Sequence, residues 1–315
     1  MENPLVTVVI PAYNAEQYIE ETLRSVLSQS YQNLEIVVVD DGSTDSTAAI
    51  VKSFGQQVRY LYQRNSGSCA APRNHGLKKA NGEFITFFDA DDVMLPDKVA
   101  SQVRTLVTNP DAEACVSNYR NFGGSKTWED HFSTCHRLNQ MISDAKQLPL
   151  LLAADQCRSV LIDENFNIAS SPLFRTDHLR QLKGFDEALR ACEDFHLLYR
   201  TAIKGPIAID PLVVFERRLH DLNMSSDNER MLKNYIQSRS QLLDQEPLPA
   251  LKLRLLQRVL RYQRDLQTCL VNKRQNKPAI RVYKNTFPPR SFSDLNHDLR
   301  QAIKMVIQGI QDALR

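Results

Sequence analysis

The chain has 315 residues, 42 % of them hydrophobic and 24 % charged, with a formal net charge of +2. That length allows one large domain with an appended piece, and the near-neutral balance argues against a nucleic-acid binder held by bulk positive charge. No apolar run approaches the ~18–20 residues that cross a bilayer, the start Met-Glu-Asn-Pro-Leu lacks a signal-peptide pattern, and the six cysteines form no Cys-x-x-Cys pair. The expectation is a cytoplasmic protein, peripheral at the inner face of a membrane if it meets one, with isolated reduced thiols.

The first hundred residues alternate strand and helix signals. Val6–Ile10 is a β-branched run ended by Pro11, as in a buried parallel strand. Asn14 and Gln17 suggest a capping box, and the helix after them aligns Tyr18, Ile19, Leu23, Val26 and Leu27 on one stripe. Glu35–Val39 reads as a second strand, followed by the turn Asp40-Asp-Gly-Ser-Thr-Asp45 and a helix over Ser46–Phe54. Val58–Tyr62 and Phe84–Phe88 read as further strands. This alternation predicts an α/β fold with a mostly parallel sheet flanked by helices and a site at the carboxyl ends of its strands.

From Cys115 to Pro172 the pattern is harder to read, and Gly123–Arg137, with the lone Trp128, looks like a surface excursion. Asn167–Phe174 and Ile207–Phe215 read as strands, and a helix is expected over Phe195–Ala202. Past Ser226 the chain turns to long helices, over Glu229–Asp244, Leu248–Val271 and Asp294–Leu314.

The sharpest chemical signal is the strand Phe84–Phe88 running straight into Asp89-Ala-Asp91-Asp92. Alternation along an extended segment lets Asp89 and Asp91 project to one side. Clustered carboxylates repel unless a cation neutralises them, and hard oxygen ligands suit Mg²⁺ or Mn²⁺ carrying a diphosphate. Alone, the acidic run equally suits a turn that caps the next helix.

Its neighbours favour the cation reading. Val8-Val-Ile-Pro-Ala-Tyr-Asn14, Ser25-Val-Leu-Ser-Gln29, Val37-Val-Val-Asp-Asp-Gly-Ser-Thr-Asp45, Pro72-Arg-Asn-His-Gly76 and Phe88-Asp-Ala-Asp-Asp92 occur in that order. Together they resemble the nucleotide-sugar domain of the family 2 glycosyltransferases, which have the GT-A fold. The resemblance implies inverting sugar transfer from a nucleoside-diphosphate sugar, a UDP-sugar being favoured, with a divalent cation (Mn²⁺ or Mg²⁺) on the diphosphate. It also implies that Pro11, Ala12 and Tyr13 border the nucleoside, that Asp41 accepts from the base while Asp40 holds the turn, and that Arg73 lies near base and phosphates. Asp89 would reach the ribose or the metal, Asp91 would be the principal metal ligand, and Asp92 would serve the following turn.

A second block, Lys183-Gly-Phe-Asp-Glu187 followed by Cys192-Glu-Asp-Phe-His196, resembles the acceptor side of the same family. There the aspartate of Glu-Asp is the general base, here Asp194; it would take the acceptor proton as attack develops. The pair is also what a helix start favours through its macrodipole, and both readings can hold together. His220, in Arg217-Arg-Leu-His220, matches a family histidine that meets the metal or diphosphate, though a lone histidine in a polar loop is commonly a surface residue. His75, His131, His136 and His178 carry no such signal.

The domain expectation is a catalytic region over 1–225, with a nucleotide-sugar half (1–110) and an acceptor half (111–225), and a basic helical region over 226–315. Between Lys252 and Arg290 eleven Lys or Arg stand against one acid, Asp265, with leucines interleaved. Such a run suits contact with an anionic membrane beside a lipid-linked acceptor, a grip on an acidic glycan or partner, or a docked helix with its charged face in water. The implied partners are a nucleotide-sugar donor and a glycan or lipid-linked acceptor, and no nucleic acid. The main alternative is a nucleotide-sugar-binding or adaptor protein without activity; the presence of both Asp91 and Asp194 argues against it. A dinucleotide enzyme would need a glycine-rich loop where Pro11-Ala-Tyr-Asn14 stands.

Overall fold

The computed structural model describes residues 3–123, 130–220 and 227–313. The chain divides into two compact units, Met1–Asn223 and Met224–Arg315. The boundary expected at 225/226 and Trp128 lie outside the described residues.

The first unit opens with β1 (Val6–Ala12), α1 (Ile19–Leu27), β2 (Leu34–Asp40), α2 (Thr47–Ser53), β3 (Arg59–Tyr62), α3 (Ala70–Lys79) and β4 (Phe84–Phe87). It continues with β5 (Val93–Met94), α4 (Lys98–Thr108), β6 (Ala114–Phe122), α5 (His136–Ser143), β7 (Leu150–Leu152) and α6 (Ala154–Asp163). It ends with β8 (Pro172–Arg175), α7 (Thr176–Gln181), α8 (Glu193–Lys204) and β9 (Ile207–Arg218). The strands form one sheet in the order β3-β2-β1-β4-β8-β6-β9-β5, with β7 paired to β9. β1 to β4 are mutually parallel; β8 is antiparallel to β4 and β6, and β6 is parallel to β9. The carboxyl ends of β1, β2, β4 and β9 therefore open on one edge of the sheet.

β1 is buried on both faces because it is central: Val6, Val8 and Ile10 join the core with Ile19, Leu23 and Val26 of α1. Pro11 does not end the strand as expected. Its missing N–H falls on the β4 side, where pairing has already stopped at Val9–Phe87, so no ladder bond is lost. Nor do Asn14 and Gln17 cap α1, which begins at Ile19 with no side-chain cap. Asn14 has a φ of 47°, and its side-chain carbonyl accepts instead from the Thr44 amide (2.8 Å), tying the β1 exit to the β2 exit.

The region that resisted reading holds β6, α5, β7 and α6. Residues 130–137 are not wholly a surface excursion, since Phe132 and Cys135 are buried. Of the expected strand 167–174 only the last three residues pair in the sheet, where β8 begins at Pro172; the serines before it give their hydroxyls elsewhere, Ser170 Oγ to Asp92 and Ser171 Oγ to the Ser117 carbonyl of β6.

The second unit is helical: α9 (Asn228–Leu243), α10 (Pro249–Asn272), α11 (Asn276–Thr286) and α12 (Phe292–Ala313). Leu232, Leu266, Leu270, Val271 and Ala279 form a core of their own. Part of the basic run is internal: buried Arg264 lies 3.4 Å from Asp294 and 3.7 Å from Asp298, Lys273 bonds Glu229 and Arg274 bonds Asp312. Among the described residues no helix is long and apolar enough to cross a membrane. The six cysteines are free thiols.

Candidate active site

The carboxyl ends of β1 and β2 are joined first. The Asp41 amide donates to the Ala12 carbonyl (2.8 Å), and the Asn14 and Ala15 amides donate to Ser43 Oγ and Thr47 Oγ1. Ala12 is buried and Pro11 half-buried, while Tyr13 stands exposed at the rim. Asp40 holds its turn, accepting from the Ser43 amide (2.8 Å) and the Tyr60 hydroxyl (2.7 Å). Asp41 is also buried; its carboxylate accepts from Gln63 Nε2 (2.6 Å) and from the Ser66 amide and hydroxyl. A ring N–H reaching Asp41 would join or displace these donors.

Arg73 comes from α3, which packs close to β1: a Cβ on Gly76 would sit 2.3 Å from Val9 Cγ1. The guanidinium is 3 % exposed and bridges two acidic segments, with Nη2 on Asp89 Oδ1 (2.6 Å) and Nη1 on Glu193 Oε1 (2.5 Å). Burial opposes its charge, but the two carboxylates outweigh that and hold it protonated. Both terminal nitrogens are thus taken by protein acids, so Arg73 ties the end of β4 to the start of α8 instead of standing open to a phosphate. The next residue reinforces the tie: Asn74 donates to the Phe185 carbonyl and Glu187 Oε1 (both 2.9 Å) and accepts from the Phe185 amide. Gly184, at φ +65°, meets this contact where a Cβ would come within 2.3 Å of Asn74 Oδ1.

The acidic loop after β4 is held from below. Ser170 Oγ accepts from the Asp89 amide (3.1 Å) and donates to Asp92 Oδ2 (2.7 Å), while Asp92 Oδ1 accepts from the Arg218 amide (3.1 Å). Asp92 therefore does more than serve the next turn; it is a buried anchor linking β4, β8 and β9. Burial, then Asp91 and Asp89, raise its carboxyl well above the usual range. Burial followed by Asp89 also raises Asp91, against the lowering effect of His220, whose Nε2 lies 2.9 Å from Asp91 Oδ2. His220 stacks on Tyr18, just before α1 (centroids 5.1 Å apart). Arg218 sits between the Tyr18 and Phe122 rings and donates from Nε to the Asp91 carbonyl (2.9 Å) and from Nη2 to Glu21 (2.5 Å).

Concentrated negative charge of this kind fits a cation. Among the described residues, however, no three His, Cys, Asp or Glu side chains group to hold one unaided. Asp91 and His220 are the adjacent pair, and Asp89 has one oxygen on Arg73. This donor set suits an ion of the Mg²⁺ or Mn²⁺ type that takes its remaining oxygens from water and a bound diphosphate.

Asp194 opens α8 beside Glu193, following Cys192 at φ 63°. Burial and the Glu193 charge raise its carboxyl to about 7, against the lowering effect of the Phe195 amide, which donates to Oδ1 (2.7 Å). A carboxylate so poised accepts a proton near neutral pH. His178, read as featureless, is buried against Glu113 (2.9 Å).

The structure thus brings Arg73, Asp89 and the Glu193-Asp194 start together, and separately Asp91 with His220. Ser170 was not singled out in the sequence, and Tyr18, Glu193 and Arg218 were quoted there without a site role of their own. Adjacency to His220 was the one signal available for Arg218; Ser170 had none.

The model of glycosyl transferase family 2 matches residues 7–182. An uncharacterized glycosyltransferase of Rickettsia typhi is 30 % identical over 234 residues, covering 74 % of this chain and 70 % of that protein. Other relatives are much longer: the match spans 30 % of a glycosyltransferase from Rickettsia bellii. Among solved structures, S. aureus TarS 1–349 in complex with UDP-GlcNAc is similar with a TM-score of 0.63 at 22 % identity, over 82 % of this chain and 71 % of that one. The mannosyltransferase PcManGT from Pyrobaculum calidifontis, in complex with GDP-Man and Mn²⁺, gives 0.62 at 20 % identity over 100 % and 82 %. At these identities the likeness is one of fold, and the fold is the GT-A type.

Proposed function

The chain belongs to glycosyl transferase family 2, and from that premise we propose that it transfers a sugar, with inversion, from a UDP-sugar to a hydroxyl of a glycan or lipid-linked acceptor. The observation that carries the reading is the Arg73 bridge, which sets the acidic loop after β4 against the Glu193-Asp194 helix start. A donor-binding protein without activity has no need of that juxtaposition.

In this reading Pro11, Ala12 and Tyr13 border the nucleoside and Asp41 accepts from the base N–H, a charge-assisted bond. Asp91, His220 and the open oxygen of Asp89 would hold a divalent cation, which when bound neutralises the diphosphate. Arg73 fixes Asp89 and holds Glu193 beside Asp194. Asp194 takes the proton of the acceptor hydroxyl as its oxygen bonds to the anomeric carbon; the bond to the diphosphate breaks on the opposite face, and the nucleoside diphosphate leaves. Developing positive charge at the anomeric carbon is matched by the carboxylates around it. The TarS and PcManGT complexes support a nucleotide-sugar donor, and the latter supports a divalent cation.

The test is calorimetry of UDP-, GDP- and other nucleotide sugars, with and without Mn²⁺, on the wild type and Asp91→Ala. Cation-dependent binding of one nucleotide sugar, lost in the variant, is the expected result. No binding by folded protein across the panel would overturn the donor site.

A further inference from the structure

α12 is mounted with its polar side inward. His297 Nε2 lies 2.9 Å from Thr268 Oγ1, Gln301 donates to the same hydroxyl (3.1 Å), and Gln308 donates to the Val271 carbonyl (3.0 Å). Asp294 and Asp298 face Arg264, and Asp298 and Gln308 are each only 7 % exposed. At 100° per residue, Phe292, Leu299, Ile303, Val306, Ile307 and Ile310 fall on one stripe of the opposite side, and each is at least half exposed, Phe292 by 84 %.

An amphipathic helix left to itself turns its apolar stripe to the core. Here the core side is satisfied by hydrogen bonds and the stripe is left outside. The stripe holds on the order of 700 Å² of apolar surface, above the roughly 300–600 Å² of the largest patch on a typical monomer and close to the roughly 800 Å² that each partner brings to a standard interface.

We propose that two copies of this chain associate through this outward face of α12. One surface that is apolar, of dimer size and able to meet its own image across a two-fold axis needs no other partner. Arg264, Lys273 and Arg274 of the basic run are bonded to acids within the unit, so these three charges are not offered to an anionic lipid surface.

Light scattering after size exclusion, on the full chain over a concentration series, tests this without reference to catalysis. The wild type should run at twice the chain mass, and Ile303→Lys/Val306→Lys at the chain mass, with an unchanged circular dichroism spectrum. Val306→Asn, milder, should weaken the dimer at least tenfold and keeps the test open should the lysine pair not fold. A wild type monomeric at every concentration, or a dimer that survives in both variants, overturns the proposal. A monomer that co-sediments with phosphatidylglycerol–phosphatidylcholine vesicles overturns it in favour of a lipid surface.

Discussion

The imidazole Nε2 of His220 lies 2.9 Å from Oδ2 of Asp91, a pairing across 129 positions of sequence. It fastens the end of β9 to the end of β4, and the ring is steadied by its stack on Tyr18. Loss of a residue that ligates or orients a ligand typically costs 10–100-fold in metal affinity. Accordingly, His220→Ala should shift the Mn²⁺ midpoint for nucleotide-sugar binding upward by roughly 10–100-fold, whereas Asp91→Ala abolishes the cation response. A Mn²⁺ titration unchanged in His220→Ala would remove the histidine from the site.

Asp194 sets a pH profile. Its carboxyl is raised to about 7, first by burial and then by Glu193, so the base form is lost as pH falls through that value. Turnover should rise with a midpoint near pH 7, and Asp194→Asn should be inactive throughout while still binding donor. Stability moves the other way. A carboxyl raised in the folded state above its unfolded value of about 3.9 destabilises the fold above pH 7, and the penalty fades between about pH 7 and 4. Asp194→Asn should therefore melt higher than wild type at pH 8 and lose that advantage at pH 4, a difference of order a few degrees by calorimetry.

Arg73 is the test of the bridge. Removing one partner of a buried pair leaves the other charged and unpaired, at a cost of about 3–5 kcal/mol. Urea unfolding of Arg73→Met should show a loss of this order, Glu193→Gln a smaller one because Asp89 still pairs the guanidinium, and the double variant should lose less than their sum. Additive losses would mean that the two side chains are not coupled.

The first hundred residues were legible because their signals are local. A β-branched run, a glycine turn and a helical stripe each lie within a few positions, and three of the resemblance blocks run off the ends of β1, β2 and β4, the other two lying at the end of α1 and in α3. What the sequence concealed depends on distant partners. β6 is buried along most of its length with Ser117, Asn118 and Asn121 among the buried residues, so no alternation marks it. α11 was missed because Pro278 stands in its first turn, where proline is tolerated but reads as a break. Ser170 and Arg218 act on the acidic loop from 78 and 126 positions away, and only the folded chain brings them there. The capping box failed for a related reason: Asn14 found a better acceptor role across the turn at Thr44.

The antiparallel insertion of β8 between β4 and β6 also decides how the molecule can be divided. Phe84, Ile85 and Thr86 pair with Arg175, Phe174 and Leu173, residues that arrive ninety positions later. A fragment ending near residue 110 would leave that flank of Phe84-Ile-Thr-Phe-Phe88 without a partner, an apolar ribbon of unmatched amides and carbonyls that invites other chains to stack on it. Residues 1–110 are therefore no detachable cassette, and chimeras that replace the rest of the unit must bring a strand to fill that slot or precipitate.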